Sequence, residues 1–183
     1  MKTVCVSGHR PEGLPWFKNG YNKKLHDEFL IKLEEYIRYC INSDFTHFIA
    51  GGALGIDTDF ALLIIALKEK GESITLEIAI PCKVQSKYWN EEDKAVYDYI
   101  LSKADKLTVL SEEYYPFCMQ KRNEYMISSS DALLVCWNGV KKGGTYSTIK
   151  YAQKQNKNFL LIDLSSEAPN GGNQMLFFRN KVI

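Results

Sequence analysis

Apolar residues along the chain gather into six short runs, separated by longer stretches with helical spacing. Strands are predicted at residues 3–7, 46–50, 74–80, 107–110, 132–137 and 159–163, each a nearly continuous apolar run. Between the first two, Leu25, Phe29, Leu33, Tyr36, Ile37, Cys40 and Ile41 recur at i, i+3, i+4 intervals, which predicts an amphipathic helix over residues 22–43. A second helix is predicted over residues 59–70. Phe60 to Leu67 is apolar on nearly every side, so this helix must be deeply buried, and Gly71 ends it. Further helices are predicted over residues 91–103, 119–129 and 145–156. Strands apolar on both faces, alternating with helices, imply an α/β fold: a Rossmann-like parallel sheet of about six strands with helices on both faces. Ligands of such sheets sit outside the carboxyl ends of the strands. The segments 8–11, 51–55, 81–83, 111–113 and 138–144 are therefore expected to share one rim.

Composition narrows the picture without redirecting it. A chain of 183 residues, 45% hydrophobic, suffices for one core, so a single domain over residues 1–183 is expected, with 164–183 a loop and C-terminal extension. Within that extension, residues 175–178 are apolar and suit either docking on the domain or contact with a partner chain. Lys and Arg number 23 against 22 Asp and Glu, a net charge of +1, which supplies no global field toward nucleic acid or an anionic membrane. Any anion site must be local. No apolar stretch approaches the roughly 20 residues of a membrane span, and Met1-Lys2-Thr3-Val4 leads into a strand rather than a signal peptide, so a cytoplasmic location is expected. Five cysteines, odd in number and without CxxC spacing, read as reduced structural thiols, with Cys82 and Cys118 in predicted loops as the two candidates for reactivity. His9, His26 and His47 are isolated in sequence, so neither a metal nor a cofactor is expected.

The segment Ile49-Ala50-Gly51-Gly52-Ala53-Leu54-Gly55-Ile56-Asp57 closes the second strand and opens the second helix. Glycines at such a junction let backbone amides approach a ligand, and the helix points its positive dipole end at the same place. Lys141-Lys142-Gly143-Gly144-Thr145 repeats the arrangement after the fifth strand, with Ser147 adding a hydroxyl. Two amide-rich turns are thus expected to serve one phosphate-bearing ligand, through Gly51, Gly52, Ala53 and Gly55 on one side and Lys142, Gly143, Gly144 and Thr145 on the other. Gly8-His9-Arg10-Pro11 leaves the first strand. Gly8 permits the sharp exit; Arg10 either forks onto a phosphate or pairs with Glu12, and His9 either meets a sugar or proton-transfer partner or caps local backbone. Asp57 reads first as a helix N-cap and otherwise as an acceptor for ribose hydroxyls. Arg122 and Asn123 open the fourth helix, with Arg122 either reaching the rim or pairing with Glu124 or Glu113. Of the rim aromatics Trp16, Phe17, Tyr21, Tyr88, Trp89, Tyr114, Tyr115 and Trp137, several could stack on a base, but most are expected to roof the core and about two to contact ligand.

Together these motifs resemble the SLOG superfamily, the Rossmann-like group of the DprA DNA-processing proteins and the LOG-type cytokinin-activating phosphoribohydrolases. Gly51-Gly52-Ala53-Leu54-Gly55-Ile56-Asp57 looks like the SG-x-A-x-GID turn of DprA. Met119-Gln120-Lys121-Arg122-Asn123, then Asp131, then Gly143-Gly144, looks like the LOG run M-H-x-R-K, A-D, P-G-G-x-G-T-x-x-E. Ser7-Gly8-His9-Arg10-Pro11 and the stretch from Gln85 to Trp89 are most similar to the YpsA-like proteins of the DUF1273 family. The resemblance spans residues 2–163 and implies a nucleotide-type ligand. It also implies a hydrolytic pair, an arginine matched by Arg122 and a glutamate in G-T-x-x-E. Here Gly143-Gly144-Thr145-Tyr146-Ser147-Thr148-Ile149-Lys150 offers Ser147, Lys150 or Tyr151 near that position, and none is a carboxylate. A serine or lysine does not stabilise an oxocarbenium ion as a carboxylate does.

The expected function is therefore binding or sensing of a nucleotide or nucleotide-derived small molecule, with a homo-oligomer as the expected assembly. One alternative is a nucleotide N-glycosidase that recruits another carboxylate, such as Asp57 or Glu113. The other is DprA-like single-strand DNA binding, which the near-neutral charge and the sparse lysines 141, 142, 150, 154 and 157 disfavour.

Overall fold

The computed structural model describes residues 1–165 and the backbone of Leu176–Phe178; most of the expected loop and C-terminal extension at 164–183 lies outside the described residues. Six strands, β1 (Lys2–Ser7), β2 (Phe45–Ala50), β3 (Thr75–Ile80), β4 (Lys106–Val109), β5 (Ala132–Trp137) and β6 (Asn158–Asp163), alternate with five helices. The helices are α1 (Lys23–Asn42), α2 (Ile56–Glu69), α3 (Glu91–Lys103), α4 (Cys118–Ser128) and α5 (Gly143–Lys154). Helices α2 and α5 begin earlier than expected because the glycine turns feed directly into them: Gly55 is the N-cap of α2, and Gly143 and Gly144 are already helical.

The sheet order is β4-β3-β2-β1-β5-β6-β7, and every pair from β4 to β6 is parallel. The short strand β7 (Leu176–Phe178) adds antiparallel to β6, so the apolar end of the C-terminal extension docks on the sheet. From β1 the chain steps outward through β2 and β3 to β4, then returns along α4 to place β5 on the other side of β1. Connections leaving β1 and β5 therefore diverge, and a crevice opens between their carboxyl ends.

Side chains alternate across the sheet as strand geometry requires. Val4, Val6, Phe48, Leu76 and Ile78 face α1, α2 and α3, while Cys5, Ile49, Leu133, Val135 and Phe159 face α4 and α5. All five cysteines are free and buried. Cys82 and Cys118 come together, and burial followed by the neighbouring Cys118 thiol pushes the Cys82 thiol up, away from the thiolate that reactivity requires. Among the described residues there is no group of three metal-ligating side chains and no helix long and apolar enough to cross a membrane.

On the α4 side, one buried carboxylate joins four elements. Glu77 of β3 accepts hydrogen bonds from Tyr125 Oη (2.7 Å, α4), Thr108 Oγ1 (2.7 Å, β4), Lys106 Nζ (3.0 Å) and His47 Nε2 (3.0 Å, β2). Burial alone would raise its pKa; the hydrogen bonds from His47, Tyr125, Thr108 and Lys106 outweigh burial and hold it at about 2, below the ordinary 4.5. The network fixes α4 against the sheet, which matters for the site because Arg122 lies one turn before Tyr125. Glu77→Ala is expected to lower the unfolding free energy by about 3 kcal/mol in urea titrations, since it leaves the buried His47 and the partly buried Thr108 and Tyr125 without their acceptor. With the folded pKa depressed, the contribution of Glu77 is complete above pH 4.5 and is lost as the pH falls toward 2. Urea midpoints of the wild type should fall more steeply across that interval than those of Glu77→Gln.

Candidate functional site

Where β1 and β5 part, the rim encloses a cavity of about 210 Å³. Its floor is the end of β1, Val6 to Arg10, and its walls are Asp57 of α2, the inner side of α4 at Met119, Arg122, Asn123 and Met126, and the start of α5 at Gly144 and Thr145. Of the residues singled out from the sequence, Gly8, His9, Arg10, Asp57, Arg122, Asn123, Gly144 and Thr145 converge here. Gly51, Gly52, Ala53, Gly55, Lys142 and Gly143 do not line it. Sequence reasoning missed Val6 and Met126, whose types carry no site signal; Ser7 and Met119 stood in quoted motifs without a role.

The two glycine turns have different fates. In the first, the amide of Ala53 donates to Asp57 Oδ2 at 3.3 Å, and the Gly51 amide also bonds this carboxylate. Asp57 is the second residue of α2 rather than its N-cap, and its side chain folds back to hold the amides that a bound phosphate would take. The turn thus carries its own anion. Gln85 Nε2 donates to Gly52 O at 2.6 Å and pins the turn from the β3 side. Gly55, at φ +90°, could not carry a side chain, because a Cβ there would fall 2.5 Å from His9 O.

Arg122 closes the same cluster. Buried within α4, its Nη1 donates to Gly51 O and lies 3.7 Å from Asp57 Oδ2, and its Nε donates to Asn123 Oδ1 at 2.8 Å. Glycine at position 51 is what admits it: an added Cβ would clash with the guanidinium and sit 2.6 Å from Asp57 Oδ2. Arg122 lines the cavity from the α4 side. Neither Glu124 nor Glu113 pairs with it. Burial pushes the Asp57 carboxyl up, opposed by Arg122 and by the Ala53 and Gly51 amides.

The second turn is open. Lys142, the N-cap of α5, supplies no side-chain cap to the first-turn amides, and a Cβ on Gly143 or Gly144 would meet nothing within 4 Å. Below the turn, Thr145 Oγ1 donates to Gly8 O at 2.9 Å, and Thr148 Oγ1 donates to Gly144 O while accepting from Asn123 Nδ2, each at 2.9 Å. These bonds lock the start of α5 to β1 and α4. Arg10 is exposed on the opposite lip; its carbonyl accepts from the Gly13 amide at 2.9 Å, and its side chain makes no hydrogen bond or ion pair with a described residue, Glu12 included. His9 Nε2 accepts from the Asn138 amide at 3.2 Å, joining the loops after β1 and β5, and burial lowers its pKa below 6.5.

Beside the cavity runs a groove of about 280 Å³ between α4 and α5, which shares Met119, Asn123 and Gly144 with it. Phe117 and Tyr151 contribute aromatic surface, and Gln120, Ser147 and Thr148 contribute polar groups. None of the eight aromatics considered above lines either space. Trp16 stacks on His26, Trp89 packs edge-on to Tyr97, and Trp137 stacks on Tyr146.

The sequence matches the YpsA model, that of the YspA SLOG family, over residues 4–166. It is 36% identical over 149 residues to the uncharacterized SPbeta prophage-derived protein YoqJ of Bacillus subtilis, a match covering 75% of this chain and 85% of that protein. A UPF0398 protein of Bacillus cereus strain B4264 is 27% identical over 163 residues, covering 85% of this chain and 84% of the relative.

Two expectations follow from this geometry. Arg122→Ala should cost about 3 kcal/mol of stability, read by urea denaturation, because it leaves the Asp57 carboxyl and Gly51 carbonyl buried without their partner; Arg122→Ala with Asp57→Asn should recover part of that loss. His9 is held neutral, with a folded pKa below its unfolded value, so its contribution is complete above pH 6.5 and declines as the pH falls through the lowered value. The stability loss between pH 7 and pH 5 should shrink in His9→Gln.

Proposed function

The chain belongs to the YspA SLOG family, and on that premise we propose that it binds a nucleotide or nucleotide-derived ligand across the β1/β5 crevice, with a phosphate at the start of α5. The observation that carries the reading is the uncapped N-terminus of α5 opening into a cavity at the topological switch point, with Arg10 and Arg122 converging on it. Backbone amides and the helix dipole favour an anion there. Arg10, whose exposed side chain makes no ion pair with a described residue, can fork onto it and neutralise its charge, while Arg122 reaches it from inside. Lys142 adds a second exposed cation at the lip. A cavity of about 210 Å³ suits one phosphate and part of a sugar, and the adjoining groove between α4 and α5 receives the remainder.

A second reading, N-glycosidic hydrolysis, draws support from Asp57. It lines the cavity, and burial raises its pKa, the property of a general acid that must hold a proton near neutral pH. Glu113, the other carboxylate considered, is exposed and lines neither space.

Isothermal titration with nucleoside mono- and diphosphates should give saturable binding to the wild type. Arg10→Ala should weaken it by about 1.5–3 kcal/mol with little change in the melting temperature of the free protein, because the exposed Arg10 side chain makes no hydrogen bond or ion pair with a described residue. Unchanged affinity in that variant removes the phosphate from this crevice. Free base accumulating in proportion to protein, and abolished in Asp57→Asn, would establish hydrolysis; binding without base release leaves a sensor. Binding only to single-stranded DNA, with steep loss on added salt, would transfer the function to the nucleic-acid class.

A further inference from the structure

The first turn of α2 carries a second carboxylate that the crevice does not use. Asp57 turns toward α4, and Asp59, two residues on, turns the other way to α1, where its Oδ2 lies 3.0 Å from His26 Nε2. The other ring nitrogen of His26, Nδ1, lies 3.0 Å from the hydroxyl of Tyr21. Because a carboxylate can only accept, Nε2 carries the proton and donates it to Asp59, and Nδ1 is left as the acceptor for the Tyr21 O–H. The imidazole is held in this pose by packing as well. It stacks on Trp16 at 4.9 Å and 9° and lies above Phe29, and both His26 and Asp59 are largely withdrawn from solvent, at 16% and 13% side-chain exposure.

The order of groups is that of an activated nucleophile: a hydroxyl, a base within hydrogen-bond reach, and a third group that fixes the base's tautomer and stabilises it once it is charged. A purely structural role for the Asp59–His26 pair, tying α2 to α1, needs neither the third member nor its accessibility. Tyr21 nevertheless stands 57% exposed, on the connection between β1 and α1, with its oxygen bonded to the base.

We propose that Tyr21 is a nucleophilic tyrosine, a site at which this protein accepts a phosphoryl group from a donor bearing a good leaving group, with His26 as the base and Asp59 as its positioning residue. In the step, the Tyr21 oxygen forms a bond to tetrahedral phosphorus as the bond from phosphorus to the leaving group breaks. The phenolic proton passes to His26 Nδ1, and the resulting imidazolium is held by Asp59 through Nε2–H. The donor supplies the phosphorus and takes away the bonding electron pair on its leaving group, so no oxidant or reductant is involved. The proposal does not depend on the nucleotide crevice, since none of the three residues lines it.

A fluorophosphonate is the probe, with fluoride as the leaving group, and labelled tyrosines are quantified by peptide mass spectrometry over time. Two tyrosines in the same molecule serve as standards. Tyr88 and Tyr114 are 89% and 64% exposed and have no hydroxyl hydrogen bond among the described residues, so accessibility alone would rank both ahead of Tyr21. The expected result is the reverse order, with Tyr21 labelled at least about ten-fold faster than either. His26→Gln and Asp59→Asn should bring Tyr21 down to the standards' rate, while the labelling of Tyr88 and Tyr114 stays constant and a far-UV circular dichroism spectrum and melting curve like those of the wild type show an intact fold. Tyr21 reacting no faster than Tyr88 and Tyr114 in the wild type overturns the proposal whether or not either variant folds. So does a Tyr21 rate that is unchanged in a folded His26→Gln protein.

Discussion

Burial of the Arg122 guanidinium is the constraint on which the arrangement of the rim depends. A charge inside the protein must be met by acceptors, and the three that meet it come from different elements: the Gly51 carbonyl at the end of β2, the Asp57 carboxylate in α2 and the neighbouring Asn123 amide oxygen. Glycine at position 51 follows from this, since any side chain there would occupy the guanidinium's place. The backward fold of Asp57 follows as well. Further along α4, Tyr125 bonds Glu77, so the helix is gripped by a buried charge at two successive turns. The cavity is the space left between this rigid wall and the start of α5.

The same short motif, a glycine pair before a helix, is thus built in two ways in one molecule. What separates them is the residue that follows. Asp57 supplies an internal anion to the first turn, whereas the start of α5 has no acidic residue, and its N-cap, Lys142, contributes no side-chain bond. The amides of the first turn are already met by a carboxylate, whereas those of the second have no side-chain cap.

The fold was legible because strands buried on both faces leave uninterrupted apolar runs, and all six expected strands stand within a residue or so of their predicted limits. Helix starts at α2 and α5 were less legible, since Gly143 and Gly144 have poor helical propensity and are admitted by position rather than preference. Candidate site residues were legible as types but not as partners. Nothing in the sequence says that Asp57 answers to Gly51 and Ala53, or that Gln85 pins Gly52 from 33 positions away. The partners of the aromatics were hidden in the same way: a ring next to a rim segment packs on whatever lies below it, and for Trp16, Trp89 and Trp137 those neighbours are His26, Tyr97 and Tyr146. Nor was Asp59 separable from Asp57 in the sequence. Two positions along a helix amount to a rotation of about 200°, which sends one carboxylate to α4 and the other to α1.

At the far edge of the sheet, β4 presents four residues whose outer backbone groups pair with no described strand. Such an edge invites another chain to add on, the first step toward aggregation. Lys106 lies on that strand, held at 3.0 Å by the Glu77 carboxylate and half exposed, so a fixed positive charge stands where an incoming strand would align. A network built to anchor α4 thereby also protects the protein's solubility, and a variant that released Lys106 would be exposed to self-association even where its folded structure survived.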